Sequence, residues 1–205
     1  MDRICYYIHT VDTGRAPSVD GGLLTLAICK PEIRRTADVG AWIIGFAPRA
    51  LGWKLSYLAK VKAKLNGSQY YGSEEYKKRS DNIYETRSFG GFSLRDHLVH
   101  DEGNIAADVG TSEDGWQNAW VLVSKRFWYF GSNAVDLSWT EFPELFAKLQ
   151  RLTQGHRVNH TPKLRAELEK ILTSIGKNHS PGVHGPPRDS CQIEQEGSTL
   201  HGECD

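Results

Sequence analysis

The segment from Thr25 to Phe46, TLAICKPEIRRTADVGAWIIGF, places a basic turn between two apolar runs. The first run predicts a strand from Leu23 to Ile28, and Ala41 to Phe46 predicts a second strand that is buried on both faces. Pro31 favours a short helical turn between them, because its fixed φ suits the first helical position. The segment therefore predicts a strand–turn–strand unit that presents cations on a rigid support.

Three other stretches predict further strands. Ile4 to Val11 is rich in β-branched and aromatic residues, and Leu55 to Leu65 alternates so that three lysines share the more polar face of a half-exposed strand. Ala119 to Phe130 predicts one long strand, or two strands that meet near Ser124 to Arg126. Together with the opening segment, these stretches predict a sheet of mixed or antiparallel strands.

Two amphipathic helices are predicted after the last strand. The first carries an apolar face between Phe142 and Leu149. The second has Thr161 as its N-cap, Pro162 at its first position and Gly176 as its stop signal. We expect the apolar faces of both helices to pack against the sheet.

Length and composition indicate one domain followed by a tail. A chain of 205 residues with 39% hydrophobic residues can bury one substantial core. We predict a single α+β domain over residues 1–176, in which a mixed or antiparallel, partly closed sheet is packed by the two C-terminal helices. Residues 177–205 offer little apolar surface to offset the entropy of ordering, so they predict a disordered tail.

The formal net charge is zero, but the charges are unevenly distributed. Lys30 to Lys64 holds eight Lys or Arg against two Asp or Glu, whereas Asp101 to Asn118 holds five acids and no base. No apolar stretch approaches the roughly 20 residues that cross a bilayer, and the N-terminus lacks a secretory signal. We predict a cytoplasmic protein with no membrane partner, and we find no metal or cofactor motif.

The first candidate site is the basic turn with Lys30, Arg34 and Arg35. Arginine offers planar, bidentate donors that suit phosphate, and the lysine row of Lys60, Lys62 and Lys64 would attract a polyanion. For the lysines we favour the alternative of a solvated, solubilising strand face.

The second candidate is SKRFWYFG, from Ser124 to Gly131, where four aromatic residues follow a Lys-Arg pair. Cations beside aromatic rings are what a base-stacking site requires, which makes Arg126, Phe127 and Tyr129 candidate ligand contacts. An ordinary β-sheet core contains the same residue types, and for the aromatic residues we favour that alternative.

Two further candidates lie in predicted loops. His156, Arg157 and Asn159 occur in GHRVN between the two helices, where they could contact a ligand or cap the preceding helix. The fourth candidate is Asp81, Asn82 and Tyr84 in DNIYE. These residues could contribute polar groups to a site, or they could form a turn.

Several motifs together resemble one protein family. GRAP, TLAICKP, IRRTA and VGAWIIGF between Thr13 and Phe46, followed by KLSYLAKV, DNIY, VLVSKRFWYFG and GHRVN, are similar to the nucleotide modification associated domain 2 proteins of bacteria and phages. The resemblance extends from the N-terminus to about Asn159. Ala41 stands where family members usually have an aspartate, so the resemblance assigns no role to a carboxylate there.

The resemblance implies a relation to nucleotides, because the family occurs beside enzymes that modify DNA bases. It implies nucleotides or nucleic acid as ligands and DNA-modification enzymes as possible partners. The VGAWIIGF and KLSYLAKV layout is also distantly similar to PUA, ASCH and EVE barrels, which commonly recognise RNA or modified bases. That second similarity implies a PUA-like sheet and is used for fold class alone.

Three functions fit these observations, beside a purely structural role that the lack of a convergent pocket would favour. The leading prediction is a nucleotide- or nucleic-acid-binding module that works with DNA base modification. Its assignments are Arg34, Arg35 and Arg157 for phosphate, Phe127 or Tyr129 for stacking, and Asn82 or Asn159 for the base edge. One alternative is an enzyme acting on a modified nucleotide, with His156 as general acid or base assisted by Cys29 or Asp81. The other is a phage-type protein that sequesters a small signalling nucleotide without turnover.

Overall fold

The structure, a computed structural model, describes residues 2–97, 100–152 and 155–189. The helices are α1 (Pro31–Thr36), α2 (Gly67–Tyr71), α3 (Ile105–Val109), α4 (Pro143–Leu149) and α5 (Pro162–Asn178). The strands are β1 (Ile4–Ile8), β2 (Ser18–Asp20), β3 (Leu23–Leu26), β4 (Trp42–Phe46), β5 (Leu55–Lys60), β6 (Ala63–Asn66), β7 (Tyr84–Thr86), β8 (Phe92–Leu94), β9 (Trp120–Ser124), β10 (Arg126–Tyr129), β11 (His156–Arg157) and β12 (Gly182–Val183).

The strands form two main sheets and a hairpin. Sheet A has six strands in the order β11-β1-β4-β5-β10-β12, and it is mixed because β1–β4 and β10–β12 are parallel pairs. Sheet B has four antiparallel strands in the order β2-β3-β9-β6, and β7 pairs with β8. The predicted α+β class with mixed and antiparallel pairing is confirmed. The sheets are open and do not close into a barrel.

Three apolar layers hold these elements together. The predicted packing of two C-terminal helices is confirmed, since α4 and α5 cover one face of sheet A. Sheet B and α1 cover its other face, and α2, α3 and the β7–β8 hairpin cover the outer face of sheet B. Within the described ranges, no helix combines the length and the apolar character needed to span a bilayer.

The stretch from Leu55 to Leu65, predicted as one half-exposed strand, is divided between the two sheets. The amide of Val61 still donates to the carbonyl of Ala41 at the end of β4, but the amide of Lys62 donates to Val123 of β9 in sheet B. The chain therefore changes sheets at this point. Because β5 lies between sheet B and the helices, both of its faces are buried, and the predicted exposed lysine face begins only at its end.

The second long strand signal is divided in the same way, because β9 belongs to sheet B and β10 to sheet A. The division occurs at Lys125, within the region where the sequence left a break open. Along β10 the side chains alternate as predicted. Phe127 and Tyr129 face sheet B, whereas Trp128 and Phe130 face the C-terminal helices.

Order extends beyond the predicted domain boundary. Thr161 caps α5 as predicted, accepting from the amide of Leu164 at 3.2 Å, but the helix continues through Gly176. The next segment packs back on sheet A: the amide of His184 donates to Tyr129 at 2.7 Å, and its ring stacks on Phe130. For residues 177–189 the prediction of disorder is wrong, because backbone and aromatic contacts supply what the local apolar content lacks. Residues 190–205 lie outside the described chain.

Candidate functional site

Three buried tyrosines from three strands of sheet A converge near one end of the interface with sheet B. The hydroxyls of Tyr7 on β1 and Tyr57 on β5 are 2.8 Å apart. Tyr129 on β10 donates its hydroxyl to Oδ1 of Asp12 at 2.5 Å. Because buried hydroxyls require hydrogen-bond partners, these contacts make a polar region inside an otherwise apolar interface.

His9 joins this polar region just after the end of β1. Its side chain is buried, and within the described residues neither ring nitrogen makes a hydrogen bond of ordinary length, although the backbone of Ala16 lies near the ring. Nε2 lies 3.9 Å from Oδ1 of Asp12. Burial lowers the pKa of His9 to about 4, so the imidazole is neutral at pH 7, with one donor and one acceptor nitrogen. The His9 cluster is defined here as Tyr7, His9, Asp12, Tyr57 and Tyr129.

Lys30 brings a cation to the edge of the His9 cluster. Its ammonium lies 5.5 Å from the centroid of the Tyr7 ring. Cys29 and Lys30 both adopt the left-handed backbone region, with φ of 55° and 46°. For residues other than glycine this conformation costs on the order of 1–3 kcal/mol each, and such strain is concentrated at functional sites. The strained pair therefore supports a functional assignment for this end of the molecule.

Residues 182–189, here called the closing segment, cover the same end. The amide of Asp12 donates to the carboxylate of Asp189 at 2.7 Å, and the amide of Asp189 donates to the carbonyl of Asp12 at 2.9 Å. Arg188 donates from Nη2 to the carbonyl of Thr10 at 2.7 Å. These bonds attach the closing segment to the loop that carries Asp12.

The His9 cluster combines hydrogen-bond donors and acceptors in a buried place. Its tyrosine hydroxyls can donate or accept, the neutral imidazole of His9 can do both, and the carboxylate oxygens of Asp12 accept. Burial raises the pKa of Tyr57, so its hydroxyl stays protonated and remains a donor at neutral pH. Buried titratable groups of this kind mark candidate functional sites. Among the described residues, no group of three or more His, Cys, Asp or Glu is arranged to hold a metal ion.

Arg34, predicted to bind phosphate, is a structural residue. Its side chain is fully buried and donates to the carbonyls of Cys29, Asn118, Trp120 and Asp108. Nη2 also lies 3.4 Å from Oδ1 of Asp108. A guanidinium used in this way links α1 to α3 and β9 and cannot reach a ligand. The phosphate contact predicted at this position stays a prediction, which these bonds do not favour.

The DNIY residues also serve the core. Asp81 accepts from the hydroxyl of Tyr70 at 2.5 Å, and Asn82 donates to the carbonyl of Tyr70 at 3.2 Å. Tyr84 donates to Asp108 at 2.7 Å. All three DNIY side chains are buried beside sheet B and satisfied there, which agrees with the structural alternative. Asp81 is thus held within the core, and a role for it in acid–base chemistry is not supported.

The remaining polar candidates lie at the exposed edge of sheet A and on α1. His156 and Arg157, expected in a loop, form β11 beside β1, and Asn159 is exposed just after it. Arg35 is exposed and pairs with Glu32 at 2.6 Å. Burial lowers the pKa of half-buried His156. None of these side chains belongs to the His9 cluster.

The residues of the second candidate site do not lie together, and neither do those of the enzymatic alternative. Phe127 is buried in the core between the sheets, whereas Arg126 is exposed at the opposite end of β10 from Tyr129. Cys29 is disulfide-bonded, so it is not available as a free thiolate, and its Sγ lies 3.6 Å from Nε2 of His100. The predicted assistance of His156 by a Cys29 thiol stays a prediction, which the disulfide does not favour.

The predicted site residues do not converge on one surface, and the structure brings only Lys30 and Tyr129 to the His9 cluster. Tyr7, His9 and Tyr57 were not among the predicted site residues, and neither was Asp12 of the cluster. His9 and Asp12 could have been found from the sequence, because a His and an Asp three residues apart follow the apolar strand β1. The tyrosines carried none, because a strand core contains the same residues.

Comparison with known proteins confirms the resemblance found in the motifs. The family model described as nucleotide modification associated domain 2 matches residues 1–194 of the 205-residue chain. No curated protein and no solved structure matches the chain.

Proposed function

We propose, because this chain belongs to the nucleotide modification associated domain 2 family, that it binds a nucleotide at the His9 cluster. One observation carries the proposal: within the described residues neither ring nitrogen of buried His9 makes a hydrogen bond of ordinary length, and only the Ala16 backbone and the Asp12 carboxylate lie near enough to raise its pKa. A buried polar group without a partner is costly, and it points to a place where a ligand completes the hydrogen bonding.

The ligand's parts are assigned by chemistry. A nucleobase edge presents adjacent donors and acceptors, which match neutral His9, the carboxylate oxygens of Asp12 and the hydroxyl of Tyr57. Lys30, beside the Tyr7 ring, supplies the positive charge for a phosphate group. This assignment replaces the arginine contacts predicted from the sequence, since Arg34 is unavailable.

Access to the cluster involves the closing segment. His9, Tyr7 and Tyr57 are buried, and Arg188 and Asp189 bond the backbone beside them. A ligand that enters here therefore displaces part of residues 182–189. Such a lid would exclude water from the bound base and strengthen its polar contacts.

Binding can be measured by native mass spectrometry and titration calorimetry with a panel of nucleosides and nucleoside monophosphates. We expect one nucleotide class to bind, and Tyr57→Phe to weaken it about 10-fold through loss of one buried hydrogen bond. His9→Phe should weaken it at least as much. The matched control is Tyr71→Phe, because the Tyr71 hydroxyl donates to the carbonyl of Ala27 away from the cluster.

Two results would overturn the proposal: no nucleotide binds the intact chain, or a nucleotide binds with the same affinity after His9→Phe and Tyr57→Phe. The same incubation separates the functional classes. A new product mass would identify an enzyme, and retention of the intact nucleotide would identify a binding or sequestering protein.

A further inference from the structure

A second cationic surface lies at the opposite end of sheet A from the His9 cluster. In the strand register Trp42 is opposite Lys60, and Lys60 is opposite Arg126. Directly paired residues on neighbouring antiparallel strands extend from the same face of a sheet, so these three side chains are adjacent. They form one row across β4, β5 and β10.

Arg126 is held in this row by two indole rings. Its guanidinium carbon lies 5.6 Å from the ring centroids of both Trp42 and Trp128, and the two rings are 6.2 Å apart. The guanidinium is exposed and makes no hydrogen bond or ion pair with any residue that the structure describes. These two cation–π contacts therefore hold the guanidinium beside the rings while its donors stay available to a ligand.

Two more cations adjoin the row. The amide of Lys62 donates to Val123, which places Lys62 beside the β9–β10 corner that carries Lys125. Both lysines are exposed, and neither pairs with a described carboxylate. Lys60 differs, because Asp2 lies 2.8 Å from its ammonium. The set of Trp42, Lys60, Lys62, Lys125 and Arg126, here called the indole–cation patch, thus holds four cations near one paired acid.

We propose that the indole–cation patch binds a single-stranded nucleic-acid segment. Arg126 would contact a phosphate or stack under a base, Trp42 would lie beside a base, and Lys62 and Lys125 would follow the backbone. Proteins that bind single strands combine a cationic track with aromatic rings and arginine stacking in this way. The proposal does not depend on nucleotide binding at the His9 cluster, since it uses other residues at the other end of the strands.

The test is fluorescence anisotropy of a labelled oligonucleotide of about 12 nucleotides, within the usual site sizes for single strands. We expect Arg126→Ala to weaken binding about 10-fold, and Arg126→Lys to recover only part of it because the planar stack is lost. The double variant Lys62→Ala, Lys125→Ala should lower the slope of log affinity against log salt by about 0.7 for each lost phosphate contact.

The control is the double variant Lys78→Ala, Lys148→Ala, which removes the same charge from exposed sites outside the patch. Its affinity should equal that of the unmodified chain. Equal weakening by both double variants, or an unchanged binding curve for Arg126→Ala, would overturn the proposal. So would equal affinity for a duplex of the same sequence. Mononucleotide binding that survives Arg126→Ala would show that the two sites are separate.

Discussion

Arg34 and Arg35 show how far neighbouring residues of one type can diverge. The Arg34 guanidinium is buried and bonds four carbonyls, whereas Arg35 is exposed and pairs with Glu32. Both lie on the six-residue helix α1, one facing the core and the other facing solvent. Local sequence predicted the helix and its charge, but a fully buried arginine depends on carbonyls from distant segments, which no local pattern reveals.

Replacing each of these two arginines by methionine should change the free energy of unfolding by very different amounts. Arg34→Met should lower the free energy of unfolding by about 3–5 kcal/mol, because it leaves buried Asp108 without its cation and several carbonyls without donors. Arg35→Met should change it by at most about 1 kcal/mol, since exposed ion pairs contribute little. Urea unfolding measures both. Similar values for the two variants would contradict the assignment of Arg34 as structural.

His9 should make stability depend on pH. Its pKa is about 4 when folded, below the ordinary value of 6.5, so the unfolded chain binds the proton more readily between these values. The free energy of unfolding should therefore fall as pH drops from 6.5 towards 4, with this group contributing at most about 1.4 kcal/mol per pH unit.

The contribution of His9 can be isolated by difference. The free energy of unfolding is measured against pH for the unmodified chain and for His9→Asn, which cannot titrate in this range. We expect the unmodified chain to lose more stability than the variant between pH 6.5 and pH 4. Parallel curves would show that the imidazole is not held neutral by burial.

At the scale of elements, apolar periodicity located most strands but not their partners. Leu55 to Leu65 and Ala119 to Phe130 were recognised as extended, yet each contributes to both sheets. Alternation reports which residues are buried, and it is the same whether a strand stays in one sheet or passes to another. Similarly, the two residues of β12 carry almost no apolar pattern that could predict a strand. The strand is held on sheet A by its backbone pairing with β10 and by the neighbouring His184 ring, which stacks on Phe130.

The docking of the closing segment can be tested with a pair of glycines. Gly131 and Gly21 have nearly equal φ, 55° and 54°, so alanine is similarly strained at both positions. A Cβ on Gly131 would collide with the carbonyl oxygen of Pro186, whereas one on Gly21 meets nothing within 4 Å. Gly21→Ala should cost about 1 kcal/mol, and Gly131→Ala should cost clearly more.

Limited proteolysis gives a second measure of the same pair. Gly131→Ala should increase cleavage in residues 179–189, because displacement of the Pro186 carbonyl loosens the closing segment. Gly21→Ala should leave that cleavage unchanged. Equal stability and equal cleavage for the two variants would show that the closing segment is not held at Gly131.

At the scale of the whole molecule, we propose that the described chain is one cooperative domain. Sheet A and sheet B share a core, and two strand segments pass from one sheet to the other. We expect tryptophan fluorescence and far-ultraviolet circular dichroism to report the same urea midpoint. Two separated transitions would divide the chain into independent units.

The site was less predictable than the fold for a physical reason. Fold class follows from local patterns such as Thr161 with Pro162 at the start of α5, which act within a few residues. The His9 cluster combines side chains from β1, the loop after it, β5 and β10, so its members meet only after the sheet is assembled. Arg126 was predicted as a ligand contact. Its contacts with Trp42 and Trp128 could not be predicted, because they depend on the strand register.

The pairing of β5 with β10 also bears on biosynthesis. The inner strands of sheet A cannot be completed until Tyr129 has left the ribosome, and the edge strands β11 and β12 emerge later still. Until then β5 is unpaired on the side that β10 occupies in the finished sheet, and β1 is unpaired on the side that β11 occupies. The long-range pairing of sheet A is therefore completed only after most of the chain has been made, and until then these two strand edges have no partner in the sheet.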